Sequence, residues 1–427
     1  MNGRLVGVLR KESSAAIGFQ YDETWLGWEH AMPVSLSLPL REQRYIGEPV
    51  AAVFENLLPD TPDVRRRMAE RVGAAGIDAY SLLLETGRDC VGALQILPDD
   101  RVPDAPGTVR GQPLTDDDIR RIVGNLANAP LGLGEAEDFR ISIAGAQEKT
   151  ALLRWNNAWF RPSGSTATTH ILKPQIGRLA NGLDLSRSVE NEYLCLKLLH
   201  ALGLPTAAAE MKNFGDHKIL VVERFDRRWT RDGRLLRLPQ EDLCQALAVP
   251  PSLKYDADGG PGIPRSLELL AGSDEPGRDQ LHFLQAVLAF WLLAATDGHA
   301  KNFSVFLRPG GRFELTPLYD VISAQPSFHA GQIRRNQMKL AMAVGANRHY
   351  AIHEILPRHF VQTAARAKVG ETVVRDAIEQ LSSVAERALD ETLGQLPIGF
   401  PRDIAESIAI GLRERLATVQ RSSAARV

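Results

Sequence analysis

The sequence predicts an α+β protein in three parts: a small mixed N-terminal region, a sheet-rich middle and a helical C-terminal half. Three patterns carry this. Short segments alternating apolar and polar residues dominate the chain up to Phe225. A Pro-, Gly- and Asp-rich stretch, Pro98 to Pro113, interrupts them. After Leu281 apolar residues recur at spacings of three and four, as in TVVRDAIEQLSSVAERALDETL. The expected domains are therefore residues 1–110, 111–226 and 227–427.

The chain has 427 residues, 44% hydrophobic and 24% charged, enough for a large core without disulfide or metal staples. Its formal charge of −2 excludes an overall basic nucleic-acid binder but leaves room for a local basic face. Cys90, Cys195 and Cys244 show no metal-ligand spacing, so buried thiols in a reducing compartment are expected. The N-terminus lacks the apolar core of a secretion signal. The longest apolar run falls short of the ~18 residues that suggest a membrane span. A cytoplasmic protein with no membrane partner is expected.

Along the chain, RLVGVLR and AAIGFQY are joined by ESS and read as a hairpin. VAAVFENLLP and DVRRRMAERVG read as helices, the second with Thr61 at the N-cap and Pro62 at the first helical position. DAYSLLLE is a further short helix, and Pro98–Pro113 the expected linker. FRISIAGAQEKTALLRW reads as strand, turn, strand; THILKP is a short strand. SRSVENEYLCLKLLHALG is a helix stopped by Gly203. HKILVVERFDRRW is a strand that runs out into charge. After Leu281 the pattern is helical, apart from a hairpin of NFSVFL and RFELTPL joined by RPGG.

A long apolar run, LHFLQAVLAFWLLAA, ends abruptly in Asp297, followed by Gly298, His299, Lys301 and Asn302. Asp320 follows beyond the expected hairpin. Phosphoryl transfer needs one carboxylate to accept the proton of an attacking hydroxyl, and hard oxygen ligands to hold magnesium. Asp297, Asn302 and Asp320 match the D-x-x-x-x-N … D order of a kinase catalytic and metal loop. The same pair also occurs by chance, since Asp and Asn often cap helices and make turns. His299 and Lys301 either face phosphates or are solvated loop residues.

A kinase also needs a strand lysine, and THILKP offers Lys173. The alternative is a snorkelling edge residue. Glu190 and Glu192 on the following helix are candidate partners, with Glu192 preferred. GAQEKT looks like the end of a phosphate-binding loop, but the first half of that motif is missing. It is either an ordinary hairpin or a tight turn in which Gly145 allows close approach and Lys149 adds charge.

Taken together, FRISIAGAQEKTALL, TTHILKP, VERFDRRW, RLPQEDLCQ, KYDADGGPGI, ATDGHAKNFSVF and LTPLYDVISA resemble the HipA-type serine/threonine kinase toxins. The likeness is strong from Phe139 to Ala324 and looser over both ends. It implies a two-lobe protein-kinase-like fold with an extra N-terminal subdomain and an all-helical C-terminal region. It also implies ATP and Mg2+ as cofactors. Asp297 then matches the catalytic base, and Asn302 and Asp320 the metal ligands. Ala144, Gly145, Ala146, Gln147, Glu148 and Lys149 match the phosphate turn, and Lys173 the strand lysine. Glu223, Arg224 and Phe225 match the hinge beside adenine. His299, Lys301 and Tyr319 line the pocket. Ser142 matches the family's autophosphorylated serine. The implied protein substrate is glutamyl-tRNA synthetase, and the implied partners are a HipB-type helix-turn-helix antitoxin and operator DNA. The chain lacks H-R-D, D-F-G, A-P-E and a full G-x-G-x-x-G, so substrate choice does not follow from protein-kinase rules. A small-molecule phosphotransferase and a catalytically silent scaffold remain alternatives.

Between Gly331 and Gly370 stand Arg334, Arg335, Lys339, Arg348, Arg358, Arg366 and Lys368, with Glu354 as the single acid. This is either a solvated surface or a contact for phosphate backbone. With operator DNA implied by the resemblance, Arg366 and Lys368 are the candidate DNA contacts.

Overall fold

The computed structural model describes residues 1–14, 16–101, 104–134 and 139–424. β1 (Gly7–Lys11) and β2 (Ile17–Tyr21) form the hairpin that alternation predicts, with Leu9 opposite Phe19. The one-turn α1 (Glu23–Leu26) is capped by Asp22, and β3 (Tyr45–Ile46) joins β2. α2 (Glu48–Glu55), α3 (Pro62–Val72) and α4 (Ala79–Thr86) follow. Phe19, Tyr21, Val53, Phe54, Met68 and Leu82 share one buried core. Thr61 does sit at the N-cap of α3, but its hydroxyl makes no capping bond there. At α4 the Asp78 carboxylate does cap, accepting from the Ser81 N–H at 3.1 Å.

β4 (Gly111–Leu114) and α5 (Asp116–Gly124) precede β5 (Thr150–Trp155), β6 (Ala158–Pro162) and β7 (His170–Pro174). A short ribbon, β8 (Gly177–Arg178) with β9 (Asp184–Leu185), leads to α6 (Ser188–Ala201). β10 (Ala209–Phe214) and β11 (His217–Glu223) complete a six-stranded sheet ordered β10-β11-β7-β5-β6-β4. β12 (Arg227–Trp229) pairs with β13 (Leu235–Arg237). β14 (Gln240–Asp242) and α7 (Leu243–Ala246) are followed by α8 (Ile263–Leu270) and α9 (Pro276–Leu293). β15 (Ser304–Leu307) pairs antiparallel with β14. The expected turn before β16 (Phe313–Leu315) is closed by the Arg308 N–H on the Arg312 carbonyl at 2.8 Å. Then come α10 (Gln325–His329), β17 (Lys339–Val344), β18 (His349–Ala351), α11 (Pro357–Arg366), α12 (Glu371–Gly394) and α13 (Arg402–Ala424).

The chain divides into two compact units. The first holds Met1–Pro174, Glu210–Ser252 and Ser304–Phe313; the second holds Gln175–Ala209, Leu253–Phe303 and Glu314–Val427. The divisions expected at 110 and 226 both fall within the first unit. The second unit is built around α9, which is buried almost all round from Phe283 to Leu293 and packed by α8, α12 and α13. A helix apolar on every side belongs in a core.

Two expected elements are different. Phe139–Ile143 is not a strand. Phe139, Ile141 and Ile143 are buried as the apolar pattern asks, but Ser142 between them is buried too, so no face is turned to solvent. The Ser142 N–H donates to the Asp89 carbonyl at 3.0 Å. The second difference lies in the stretch read as helical. KLAMAV, rich in helix formers, is the strand β17 and pairs with β18. Its last five residues are all buried, so packing overrides propensity.

Candidate active site

In the second unit, α9 ends in a left-handed residue, Ala294, at φ 53°. The Ala295 N–H returns to the Phe290 carbonyl at 2.8 Å and closes the helix. The chain turns there, and Ala295 forms an antiparallel bridge with Ser323. Asn191 of α6 clamps the far side, donating to the Ser323 carbonyl at 2.8 Å and accepting from its N–H at 2.9 Å. The segments carrying Asp297 and Asp320 thus run side by side.

Gly298 lies so close to α9 that a β-carbon there would stand 2.4 Å from the Phe290 ring. Phe303 inserts beside it, its ring 4.8 Å from Phe283 and 5.5 Å from Phe290. These contacts hold a tight turn from Asp297 to Asn302. The Asp297 side chain is 59% exposed, open to a substrate. The Tyr255 hydroxyl donates to its Oδ1 at 2.6 Å. The Tyr255 ring meets the His299 ring edge-on at 5.0 Å. His299 and Lys301 are buried, so the solvated-loop alternative for them fails.

The Asn302 amide donates to the Asp297 carbonyl at 2.7 Å. A carbonyl only accepts, so the Asn302 nitrogen must face it, and Oδ1 is turned the other way. The Tyr319 hydroxyl donates to the Lys301 carbonyl at 2.9 Å, tying the segment of Asp320 to this turn. Asp320 itself sits at φ 60°, a strained conformation for a residue with a side chain. One amide oxygen and one carboxylate on adjoining segments are a hard-oxygen set that fits Mg2+ completed by phosphates and water. Among the described residues no three His, Cys, Asp or Glu gather as a protein-only metal cage.

In the first unit, Ala144–Lys149 is a tight turn. Gly145 has φ 109°, which only glycine adopts readily, and its carbonyl accepts from the Asp60 N–H at 3.4 Å. Lys149 is buried and donates to the Ala144 carbonyl at 2.9 Å, closing the turn. Gln147 donates to the Pro174 carbonyl at 3.0 Å, while Ala146 and Glu148 are exposed. β5 and β7 pair Thr150 with Leu172, so one step further Lys149 lies across from Lys173. Lys173 is buried. β11 pairs Leu220 with Lys173 and Glu223 with His170. Lys173 and the hinge residue Glu223 therefore stand about three strand residues apart, ~10 Å along the sheet. Ser142 is fully buried, and its hydroxyl donates to the Leu57 carbonyl at 2.8 Å.

Arg224 and Phe225 follow Glu223. Phe225 packs edge-on against Phe306 at 5.8 Å. The Arg224 backbone N–H donates to the Thr169 carbonyl, but its side chain joins a buried ion network that sequence reading missed. Asp226 accepts from Arg224 at 2.8 Å and Arg227 at 2.9 Å, and Asp89 from Arg227 at 2.9 Å and Arg237 at 3.0 Å. Desolvation opposes the Asp89 charge, yet Arg227, Arg237 and Arg224 hold its carboxyl well below the usual range. Burial lowers Arg227 to about 10. The Arg224 guanidinium is thus a structural cross-link.

Sequence reading does not single out Tyr255 or Asn191, and notes Gly298 only as a member of the run after Asp297. Asn191 left a trace, a polar residue on the buried side of an apolar helix. Arg366 ends α11 and Lys368 follows at φ 59°; both are exposed. The three cysteines are buried free thiols, as expected. Among the described residues no helix is long and apolar enough to cross a membrane.

Two family descriptions match the sequence: HipA N-terminal domain over residues 1–97 and HipA-like C-terminal domain over residues 141–389. A Sinorhizobium fredii protein named as a candidate kinase is 36% identical over 401 residues, covering 92% of this chain and 91% of its own. The serine/threonine-protein kinase toxin HipA of Shewanella oneidensis is 27% identical over 332 residues, covering 75% of this chain and 73% of that protein. A solved structure of the Shewanella oneidensis HipA, HipB and operator DNA complex matches with a TM-score of 0.80 at 24% identity. It covers 99% of this chain and 96% of that one.

Proposed function

This chain belongs to the HipA family of kinases, and from that premise we propose that it is an ATP- and Mg2+-dependent serine/threonine protein kinase, the toxin of a toxin–antitoxin pair. The observation that carries the reading is the exposed Asp297 carboxylate on a turn pinned to a buried helix, with Tyr255 fixing one oxygen. Asp297 accepts the proton of the attacking serine hydroxyl through its other oxygen. Asn302 Oδ1 and the Asp320 carboxylate would hold Mg2+, which would neutralise phosphate charge. Lys173, Lys149 and the backbone of the Ala144–Lys149 turn would take the phosphates, with Glu223 to Phe225 beside adenine. The ~10 Å between Lys173 and Glu223 along the sheet suits a nucleotide lying lengthwise. His299, Lys301 and Tyr319 would line the nucleotide pocket.

The proposed substrate is a serine of glutamyl-tRNA synthetase, whose modification would halt translation and bring dormancy. Ser142 is the proposed autophosphorylation site. Its hydroxyl is buried against Leu57, so modification requires the 139–145 segment to leave its seat. A phosphate of about −2 charge would then keep that segment from returning, which switches the enzyme off. The proposed partners are a HipB-type antitoxin and operator DNA, in the cytoplasm. The test is transfer from labelled ATP to purified glutamyl-tRNA synthetase. We expect label on the synthetase, lost in Asp297→Asn by about 10²- to 10⁴-fold. Label only on small-molecule acceptors would make the protein an antibiotic-type phosphotransferase. No ATP binding would leave a silent scaffold.

A further inference from the structure

The second unit contains a cavity of about 150 Å³ that takes no part in the site above. Trp291 of α9, Phe328 of α10, Met338 and Ile352 give it apolar walls. The Trp291 N–H is engaged by the Ile352 carbonyl at 3.0 Å, so the ring offers its apolar body. Four ionisable side chains complete the lining: Arg335, His353, Glu414 and Arg415. Arg335, His353 and Glu414 are exposed, whereas Arg415 of α13 is 8% exposed.

Arg415 is the informative one. Its Nε donates to the Leu292 carbonyl at 2.8 Å and its Nη1 to Gln325 Oε1 at 3.0 Å. Its Nη2 is enclosed and finds no acceptor among the described residues. Buried N–H groups almost always have a partner, so an orphan donor on a side chain that lines a cavity calls for an acceptor from outside the chain. Burial lowers the Arg415 pKa to about 10, so it remains a cation at neutral pH. A planar guanidinium suits a carboxylate. A space of this volume has room for a body about the size of benzene against its apolar walls.

We propose that this cavity is a binding site for a small carboxylate with an apolar body, its charge on Arg415 and Arg335 and its body against Trp291 and Phe328. The Arg415 guanidinium also caps Leu292 in the last turn of α9 and holds Gln325 beyond Asp320. The side chain that lines the cavity therefore also touches the end of α9 and the segment after Asp320. The binding itself does not depend on phosphoryl transfer.

The test is titration of the full chain, without nucleotide, with benzoate and with its uncharged counterpart benzyl alcohol, read by calorimetry. Saturable benzoate binding at least tenfold tighter than benzyl alcohol is expected. Arg335→Gln changes an exposed residue, and Thr418→Phe fills the cavity from a half-buried position on α13, so both variants should fold. One or both should weaken benzoate at least fivefold. The proposal is overturned by no saturable benzoate binding, by equal binding of benzyl alcohol, or by benzoate binding that neither variant changes. A chain that transfers no phosphate would leave this readout intact.

Discussion

Tyr255 shows how much of the candidate site escapes a linear reading. It lies in KYDADGGPGI, far before Asp297 in sequence, and no local pattern links the two; only the fold brings its hydroxyl to 2.6 Å from the carboxylate. A hydrogen bond to a charged group contributes about 1.5–3 kcal/mol. Tyr255→Phe should therefore lower kcat about 10- to 150-fold while the KM for ATP stays near its original value. A raised KM with unchanged kcat would place Tyr255 in nucleotide binding. Glu241 of β14 is a buried acid with a readable consequence. Its Oε1 accepts from the Leu36 N–H at 2.7 Å, and Oε2 has no partner among the described residues. Burial pushes its carboxyl from 4.5 up to about 8, with the Leu36 and Ser35 bonds pulling back. The folded chain then keeps a proton that the unfolded chain loses above its lower pKa. Stability is full below that lower value and falls as pH rises towards 8, by up to about 1.4 kcal/mol per pH unit. Glu241→Gln removes this slope, so its Tm relative to the parent should climb between pH 5.5 and 7.5. A constant difference would mean that Glu241 is already ionised in the fold.

At the scale of elements, apolar period was the strongest guide, and it failed where tertiary pairing decided. α9 was legible because its apolar run is long and its end abrupt. The strand β17 was not, because KLAMAV carries helix-forming residues and only its partner β18 makes it a strand. The segment before the Gly145 turn alternates like a strand, yet its backbone partners are loops of the N-terminal region. The turn after α9 depends on an approach that the sequence marked only with a glycine. Gly298→Ala would set a methyl 2.4 Å from a Phe290 ring that Phe303 prevents from yielding. The turn must shift, and a displacement on the order of 1 Å costs about 10²-fold in rate. We expect that loss of kcat together with about 1–3 kcal/mol of stability. Full activity in a destabilised variant would show that Asp297 does not rely on this approach.

At the scale of the whole molecule, the order of the motifs carried the family and the α+β class, while the division of the chain did not follow from them. The domains read from sequence are continuous ranges, whereas each compact unit is assembled from separated segments, which composition shifts along the chain do not reveal. The basic segment teaches a similar lesson. Its seven cations are neighbours in sequence, but Arg348 is tied to Asp256 at 3.2 Å and supports the fold instead. Arg366 and Lys368, exposed at the end of α11, keep the form of a phosphate contact. A lysine or arginine that neutralises one phosphate releases counterions and adds about 0.9 to the salt slope of binding. With the antitoxin and operator DNA assembled, Arg366→Ala and Lys368→Ala should each weaken binding for every sequence alike and lower that slope by about 1. Slopes parallel to the parent across 50–200 mM salt, the range over which phosphate contacts cost about 10³–10⁵ in affinity, would leave both residues as ordinary solvated surface.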